Sequence, residues 1–587
     1  MLEIKAAWRS VIARALGEEM ASRAQAATGP EASEIIVETP PDPAMGDLGF
    51  PMFAWAKQLR AAPAAIAASL AGRIAADPAT AALGTAKAVG PYVNVNLARG
   101  PEVARVLSEA AAPGWGRISS LSGKKIMVEF SSPNTNKPLH LGHLRNNVLG
   151  ESLSRILAAA GAELRKVNHI NDRGIHICKS MLAYMKRGEG RLPEDEGLKS
   201  DHFVGRYYVL FGELAKEIGG LEVEAQDLLL KWEAGDGATR ELWKRMNAWA
   251  VDGIRKTYER TGVSFDLYDF ESDTYELGRD EVLRGLELGV FSRKEDGAIE
   301  VDLEDVGLDR KVLLRKDGTS IYITQDIGTA IHRHESWPYD RLIYVVASEQ
   351  QYHFKVLFEV LRRLGFAWAR DLHHLSYGLV NLPSGRMKTR EGTVVDADDL
   401  IDELSKLAKA EIEAKGREDS IGEGGEVSDR IALGALHYYL LQTAPGKDML
   451  YDPEASLSFT GDTGPYIQYM GARASSILRK SGSEPGNHQS GIFKPEKLTG
   501  DGDWRLLRLV SAYPEALASA AENLDSSIIA AYLHDLATGF SAWYRDNPVL
   551  SNPDADLAAS RLELVRSVRS TFMVATRLAC IPFLDSM

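Results

Sequence analysis

The chain has 587 residues, and 68 Lys and Arg against 82 Asp and Glu give a formal net charge of −14. Hydrophobic residues make up 45% and charged residues 26%, which excludes a wholly disordered or fibrous chain, and the acidic total argues against a non-specific nucleic-acid coat. The two cysteines, Cys178 and Cys580, exclude a disulfide framework and favour a reducing, cytoplasmic compartment. Since no stretch approaches ~18 uncharged apolar residues, we expect no membrane-spanning helix.

The first part of the chain, residues 1–112, predicts a small α+β domain. Ala-rich stretches at 15–27 and 63–77 have helical spacing, and Ala and Leu are strong helix formers. Val89–Leu97 alternates apolar and polar residues and predicts an edge strand. The Pro- and Gly-punctuated stretch at 111–123 predicts a linker.

Residues 113–400 predict a Rossmann-like domain with a doubly wound parallel sheet. The strand-like run Lys124–Phe130, the polar loop SSPNTNKP and a long amphipathic helix pattern form the opening unit of such a sheet. The pattern from about 180 to 310 predicts a largely helical insertion. Further strands are predicted at 163–172, 319–326, 341–348 and 374–380.

Helical spacing continues from about Leu400 to Met587. We interpret residues 401–455 as a helical connection and residues 456–587 as an all-α bundle, interrupted by a Gly/Pro/Ser-rich loop at 481–503. The fold class is therefore α/β multidomain: an N-terminal α+β domain, a parallel-sheet domain and a C-terminal helical bundle.

The segment His140-Leu141-Gly142-His143 opens the helix that follows the first strand of the sheet. Two histidines three apart share a face, a helix N-terminus favours anions, and Gly142 leaves room for a large group. This pattern predicts a polyphosphate site with imidazole donors. Taken alone, however, most H-x-x-H pairs are accidental, and the i, i+4 spacing of a zinc H-E-x-x-H motif is absent.

Two cationic features strengthen the phosphate hypothesis. Lys137 precedes the first histidine by three residues, and a Gly-bounded loop at 385–392 carries Arg386, Met387 and Lys388. A solvated turn is the simpler interpretation of such a loop. If both elements border the sheet, however, the phosphates of ATP would lie between them, and the cations would neutralise charge on departing pyrophosphate.

With these elements, the sequence resembles class I aminoacyl-tRNA synthetases, and specifically the arginyl-tRNA synthetase family. The His140–His143 helix start and the Met387 loop resemble the HIGH and KMSKS signatures. The usual loop reads close to K-M-S-T-R, whereas here it reads Arg386-Met387-Lys388-Thr389-Arg390. Five blocks occur in family order: Gly46-Asp47 with 90–97, then 128–150, 317–328, 345–358 and 461–473.

The resemblance implies arginine–tRNA ligase activity, with ATP, L-arginine and tRNA(Arg) as partners, Mg²⁺ accompanying ATP, and no dedicated protein metal site. It implies that His140, His143, Lys137, Arg386 and Lys388 act in catalysis, and that Gly142 and Met387 also bind ATP. The implied arginine-binding residues are Glu129, Ser132, Asn134, Tyr322, Asp326 and Gln350. A planar guanidinium needs carboxylates in bidentate geometry, and Asp326 and Glu129 are the carboxylates that the resemblance provides.

The C-terminal part carries aromatic and basic clusters suited to splayed bases. We predict tRNA contacts at Tyr466, Gln468, Arg473 and Trp543, although half or more of such aromatics belong to helix-bundle cores. We also expect a monomer.

Three alternatives stay open on the sequence. A second class I synthetase is disfavoured because two distant cysteines cannot form a cysteinyl-type zinc site, and because 180–310 is too short and helical for the editing insertion of the aliphatic enzymes. A nucleotidyltransferase of the same sheet type would lack the helical C-terminal domain. A tRNA-binding protein without catalysis is disfavoured by the HLGH segment but kept open by the altered basic loop.

Overall fold

The computed structural model describes residues 1–23, 29–381, 395–414, 424–482 and 494–587. Within these ranges no helix is both long enough and apolar enough to cross a membrane. The predicted basic loop with Arg386, Met387 and Lys388 lies outside the described residues.

The N-terminal region packs helices against a three-stranded antiparallel sheet of order β1-β3-β2. Its elements are α1 Leu2–Ser22, β1 Leu48–Pro51, α2 Ala56–Leu59, α3 Pro63–Ala76, β2 Gly84–Val89, β3 Tyr92–Leu97 and α4 Arg99–Ala111. The predicted edge strand is wrong in position, because β3 is the central strand. Its alternation is imperfect because Asn94 is buried as well as Val93 and Val95, with the Asn94 amide donating to the Met45 carbonyl at 3.1 Å.

A five-stranded parallel sheet of order β11-β10-β4-β5-β6 forms the centre of the molecule. Its strands are β4 Lys125–Glu129, β5 Glu163–Ile170, β6 Leu267–Phe270, β10 Arg341–Ala347 and β11 Leu372–Tyr377. The helices around it are α5 Leu141–Ala159, α12 Tyr322–Ser336 and α13 Gln351–Arg363. The predicted parallel sheet is confirmed, and its central strands β4 and β10 are largely buried.

The strand predicted at 319–326 is wrong, since α12 begins at Tyr322. Ile323, Ile327, Ala330 and Ile331 are buried at helical spacing, and the Ile321 amide donates to the Thr324 hydroxyl at 3.4 Å, which caps the helix start. The short apolar run before Asp326 is compatible with either period, and the longer pattern decides for the helix.

The insertion is helical over its first part. Four helices, α6 Ile175–Arg187, α7 Ser200–Glu217, α8 Leu221–Glu233 and α9 Gly237–Thr261, bury a core of their own. The remainder differs from the prediction: β6 returns to the edge of the main sheet, and a small antiparallel sheet follows. The helices α10 Glu271–Thr274 and α11 Arg279–Glu287 follow β6 in the chain. The small sheet is formed by β7 Ser292–Arg293, β8 Ile299–Val301 and β9 Lys311–Leu314.

Beyond β12 Val380–Asn381 the described chain is helical, as predicted, apart from the short strand β13 Met449–Leu450. β12 and β13 pair in parallel. The helices are α14 Ala397–Ala414, α15 Gly424–Leu441, α16 Pro453–Ser456, α17 Gly464–Lys480, α18 Asp501–Asn523, α19 Ser527–Asp546 and α20 Ala555–Leu578. One continuous hydrophobic core joins this bundle to α5 and to the N-terminal region.

Candidate active site

The start of α5 holds two closely packed imidazoles. His140 is the N-cap, and its Nδ1 accepts the Gly142 backbone N–H at 3.1 Å. His143 reaches back, and its Nδ1 accepts the His140 backbone N–H at 3.1 Å, which leaves the ring centroids 3.9 Å apart. A neutral imidazole that accepts at Nδ1 carries its proton at Nε2. Both rings therefore present an Nε2–H donor at a helix N-terminus.

Burial keeps both rings neutral. It lowers the pKa of His140 to about 4, with the nearby Lys137 ammonium adding to the effect. The pKa of His143 is lowered for the same first reason, and then by His140 and Lys137. Burial also lowers the pKa of Lys137. The half-buried Lys137 ammonium and the two neutral imidazole donors are found at the same helix start. Such a group is suited to binding an anion, which would replace the water that burial removes.

The packing of the His140 ring explains why a glycine is present at position 142. A Cβ at this position would lie 3.0 Å from His140 Cε1 and 3.1 Å from His140 Nδ1. The glycine thus allows the His140 ring to fold over the helix start, and a side chain here would displace that ring.

The helix start is braced by the chain that enters α14. The Leu141 N–H donates to the Val395 carbonyl at 3.1 Å, and the Ala397 N–H donates to the Leu139 carbonyl at 3.0 Å. Residues 382–394, between β12 and this brace in the sequence, are outside the described chain.

Glu129 ends β4 and is buried. The sequence predicted that the substrate guanidinium would pair with this carboxylate, yet an arginine of the chain already does so. Arg333 Nη1 donates to Glu129 Oε2, and Arg333 Nε donates to Asp269 Oδ2 at 2.7 Å. The other oxygen, Oε1, has the Ser132 hydroxyl at 3.5 Å. Glu129 therefore offers one oxygen to a ligand, and a bidentate fork would have to displace Arg333.

Ser131 and Ser132, just after β4, both have an unusual backbone conformation. Ser131 has φ 73° and Ser132 has φ 45°, the left-handed region that side chains other than Gly seldom adopt. The Ser131 N–H donates to Asn146 Oδ1 at 2.5 Å, and the Ser132 N–H donates to Asn168 Oδ1 at 3.2 Å. Such outliers cluster at functional sites when their surroundings enforce them.

Tyr322 and Asp326 lie one turn apart on α12, so their side chains share a face. Tyr322 is 77% exposed. The Asp326 side chain is 41% exposed, and its Oδ2 lies 2.6 Å from His353 Nε2 on α13. Burial and then the Arg333 charge lower the pKa of His169, and the carboxylates of Glu129, Asp326 and Asp269 oppose that shift, so these carboxylates face one buried ring. Asn134 and Gln350, also predicted here, are exposed.

Glu271 is a carboxylate that the sequence reasoning missed. It begins α10 directly after β6 and is buried. Its pKa is raised to about 7, chiefly by burial; the Arg173 charge opposes this shift, and the charges of Asp172 and Asp326 add to it. A perturbed carboxyl that interacts electrostatically with Asp326 marks a site candidate. The available signal was an acid immediately after a strand, hidden because β6 was assigned to the helical insertion.

Comparison with known proteins relates all three parts of the chain to one enzyme family. Residues 103–452 match the model for class I (R) tRNA synthetase catalytic domains, 467–587 the DALR anticodon binding domain, and 6–97 the arginyl tRNA synthetase N terminal domain. The arginine–tRNA ligases of Treponema denticola and Treponema pallidum are 53% and 51% identical over 100% and 99% of both chains. The arginyl-tRNA synthetase structure from Thermus thermophilus has a TM-score of 0.80 at 28% identity, covering 99% of this chain and 100% of that one.

The chain belongs to the arginyl-tRNA synthetase family.

Within this arginyl-tRNA synthetase family member, two predicted tRNA contacts require correction. Gln468 is 1% exposed, and its amide donates to the carbonyls of Arg430 at 2.9 Å and Pro582 at 2.8 Å. Trp543 is 4% exposed, and its Nε1–H donates to Asp503 Oδ1 at 2.8 Å. Both side chains brace the bundle interior, where helical periodicity alone could not separate core from surface.

The other two predicted contacts lie nearer the surface. Arg473 on α17 stacks over the ring of Tyr544 on α19 with 4.7 Å to the centroid, and both side chains are half-buried, as is Tyr466. Arg473 and Tyr544 thus form a cation–aromatic pair on the outside of the bundle.

Proposed function

We propose that this family member activates L-arginine with ATP at the start of α5 and then transfers the arginyl group to the 3′ end of tRNA(Arg), in the cytoplasm. In the first step the arginine carboxylate attacks the α-phosphate of ATP, forming arginyl-adenylate and releasing pyrophosphate. In the second, a terminal ribose hydroxyl attacks the acyl carbon and AMP leaves. The protein positions the reactants and stabilises charge.

The helix start would bind the phosphates. The observation that carries this proposal is the pair of Nε2–H donors on His140 and His143, fixed by their Nδ1 bonds and kept neutral by burial. Lys137 would add positive charge beside them. Gly142 and Met387 would complete the ATP site, with Arg386 and Lys388 neutralising pyrophosphate.

Mg²⁺ would neutralise phosphate charge when it accompanies ATP. The group of metal-type ligands found among the described residues is Asp201, His202 and Asp398. Lys199 Nζ already lies 3.0 Å from Asp201 Oδ2 and 2.7 Å from Asp398 Oδ2, so this group does not fit a cation. We therefore propose that the protein residues hold the phosphates and not the metal.

The guanidinium would be read between α12 and α10. His353 occupies Oδ2 of Asp326 and leaves Oδ1 for an N–H of the substrate, while Tyr322 packs against the planar group. Because Arg333 occupies one oxygen of Glu129, we propose Glu271 as the second carboxylate for the fork. Two separated acceptors suit a planar five-donor cation and leave a lysine ammonium half satisfied.

The remaining predicted residues would hold the α-amino and carboxylate groups. Ser132 and Asn134 follow β4, and Gln350 follows β10, which pairs directly with β4. Carboxyl ends of adjacent parallel strands lie at one edge, the usual ligand position in such sheets. Glu129 Oε1 would accept from the α-ammonium there.

The tRNA would lie across the C-terminal bundle, with Arg473, Tyr544 and Tyr466 as surface contacts. Aminoacylation of total tRNA with each of the twenty amino acids tests the whole proposal. We expect charging with arginine and with no other. Charging with a different amino acid would contradict the guanidinium site, and no charging at all would favour a non-catalytic tRNA-binding protein.

A further inference from the structure

Arg145 is a fully buried cation on α5, two residues beyond His143, with 0% exposure. Its Nη1 donates to the carbonyl oxygens of Gly378 at 2.7 Å and Leu379 at 3.3 Å. Its Nη2 donates to those of Pro445 at 3.4 Å and Lys447 at 2.8 Å. One guanidinium therefore spans two chain segments that are far apart in sequence.

The way this charge is accommodated is costly. Among the described residues, no carboxylate lies within ion-pair distance of Arg145, whose partners are carbonyl dipoles. Burial lowers the pKa of Arg145, and Tyr377 and Asp448 oppose this shift without cancelling it. Asp448 Oδ1 accepts the Leu379 N–H at 2.7 Å. An unpaired buried charge is destabilising compared with an apolar side chain of similar volume. Stability alone does not account for arginine at this position.

The two segments form a junction. Residues 378–379 lead from β11 into β12, and residues 445–447 lead from α15 into β13 and the C-terminal bundle. The strands pair at Val380–Met449 and Asn381–Leu450, and the Gly378 N–H donates to the Pro445 carbonyl at 2.9 Å. A Cβ on Gly378 would overlap the backbone of Lys447 and Asp448. The junction thus requires close backbone approach on one side and the Arg145 fork on the other.

We propose that Arg145 is a positioning residue for adenylate formation: its fork fixes the phosphate-binding start of α5 against the junction of β12 and β13, through which the chain enters the C-terminal bundle. This inference rests on the proposed function of the His140–His143 helix start. It predicts an asymmetric effect. ATP contacts depend on α5, whereas the guanidinium contacts lie on α10 and α12, which Arg145 does not touch.

Lysine tests the fork without removing the charge. A point cation on a flexible stem cannot bond four carbonyls in two directions. We expect Arg145→Lys to raise the KM and the Kd for ATP and to lower kcat, together by about 10- to 100-fold, as small misplacements of reacting groups do. The KM for arginine should stay within about twofold, since the misplacement is confined to the α5 side of the site.

Arg561 provides the matched control. It is also a buried arginine, 8% exposed, and it donates to the Pro548 carbonyl at 3.0 Å, to Asn547 at 2.8 Å and to Asp503. It lies near the start of α20 in the C-terminal bundle, and none of these three partners lies on α5. Arg561→Lys should lower the Tm but leave both KM values unchanged per folded molecule.

The experiment uses the full chain and measures arginine-dependent ATP–pyrophosphate exchange with tRNA present, equilibrium ATP binding and thermal unfolding. The proposal is supported if Arg145→Lys raises the Kd for ATP and leaves the KM for arginine unchanged, while Arg561→Lys changes neither the Kd for ATP nor the KM for arginine. Identical behaviour of the two variants, with a lower Tm alone, overturns it. If Arg145→Lys does not fold, Gly378→Ala distorts the same junction from the other side and must raise the ATP Kd in the same way.

Failure of the proposed function would look different. Wild-type protein that binds ATP but exchanges no pyrophosphate with arginine would overturn arginine activation. The ATP Kd of the Arg145 and Gly378 variants would still decide the positioning role.

Discussion

His143 Nδ1 accepts the backbone N–H of His140, and His140 Nδ1 accepts the backbone N–H of Gly142, both at 3.1 Å, while the two rings pack with centroids 3.9 Å apart. This reciprocal cap has two consequences. It satisfies two N–H groups that a helix N-terminus would otherwise leave unpaired, and it fixes both remaining protons at Nε2. The same two side chains therefore cap the helix and present a pair of aligned hydrogen-bond donors.

The cap should make stability depend on pH. The pKa of His140 is lowered to about 4 from an ordinary value of 6.5, so the unfolded chain binds more protons than the native one between these values. Stability should therefore fall as the pH drops from 6.5 towards 4. Denaturant unfolding at several pH values checks this. His140→Asn, which keeps an acceptor without titrating, should show a shallower slope, and an unchanged slope would contradict the buried neutral state.

Asp326→Ala should raise the KM for arginine by the equivalent of about 2–4 kcal/mol, because the guanidinium would lose a carboxylate partner in the pocket. Steady-state exchange kinetics measure this, with the KM for ATP expected to change little. Asp309→Ala serves as the control: Asp309 accepts the hydroxyl of Tyr352, the residue before His353, at 2.6 Å, but has no proposed substrate contact. Equal arginine kinetics in both variants would remove Asp326 from the site.

Glu271 should couple arginine binding to proton release. Its pKa is raised to about 7 from 4.5, so its contribution to stability is greatest below pH 4.5 and is lost as the pH rises towards 7. A bound guanidinium would favour the charged form. Arginine affinity should therefore increase between about pH 6 and 8, and calorimetry in buffers of different ionisation enthalpy should detect the released proton.

Glu271→Gln removes that proton from the balance. We expect weaker arginine binding, no proton release and equal or greater stability at pH 8, where the wild-type charge is buried. Glu287→Gln, on the exposed end of α11, should behave as wild type. Proton release that persists in Glu271→Gln would assign it to another group.

Neighbouring aromatics on α19 should separate tRNA binding from packing. Tyr544→Ala removes the ring under Arg473 and should raise the KM for tRNA by the equivalent of about 1–3 kcal/mol per stacked base, with pyrophosphate-exchange KM values unchanged. Trp543→Ala should instead destabilise the bundle by about 3–5 kcal/mol. Filter binding and thermal unfolding distinguish them, and a tRNA defect confined to Trp543→Ala would reverse the assignment.

The linear sequence was sufficient for the large elements, including the helix that opens at the His140–His143 segment. Long apolar periods predicted α5, α13 and the C-terminal helices, since 3.6-residue spacing over many turns excludes a strand. The short run before Asp326 was ambiguous, and β6 was hidden in a helical context, because four residues carry too little periodicity to decide.

Composition and motif spacing by themselves determined the fold class and the helix that opens at His140, because these depend on residues close together in the chain. Only the tertiary structure decided which carboxylates already have partners and which polar side chains are core. Glu129 meets Arg333 across 204 positions, and Arg145 reaches carbonyls 233 and 302 positions away. Such pairings follow from which elements pack together. A periodic pattern in the sequence indicates which face of an element a residue lies on, but not which residues pack against that face.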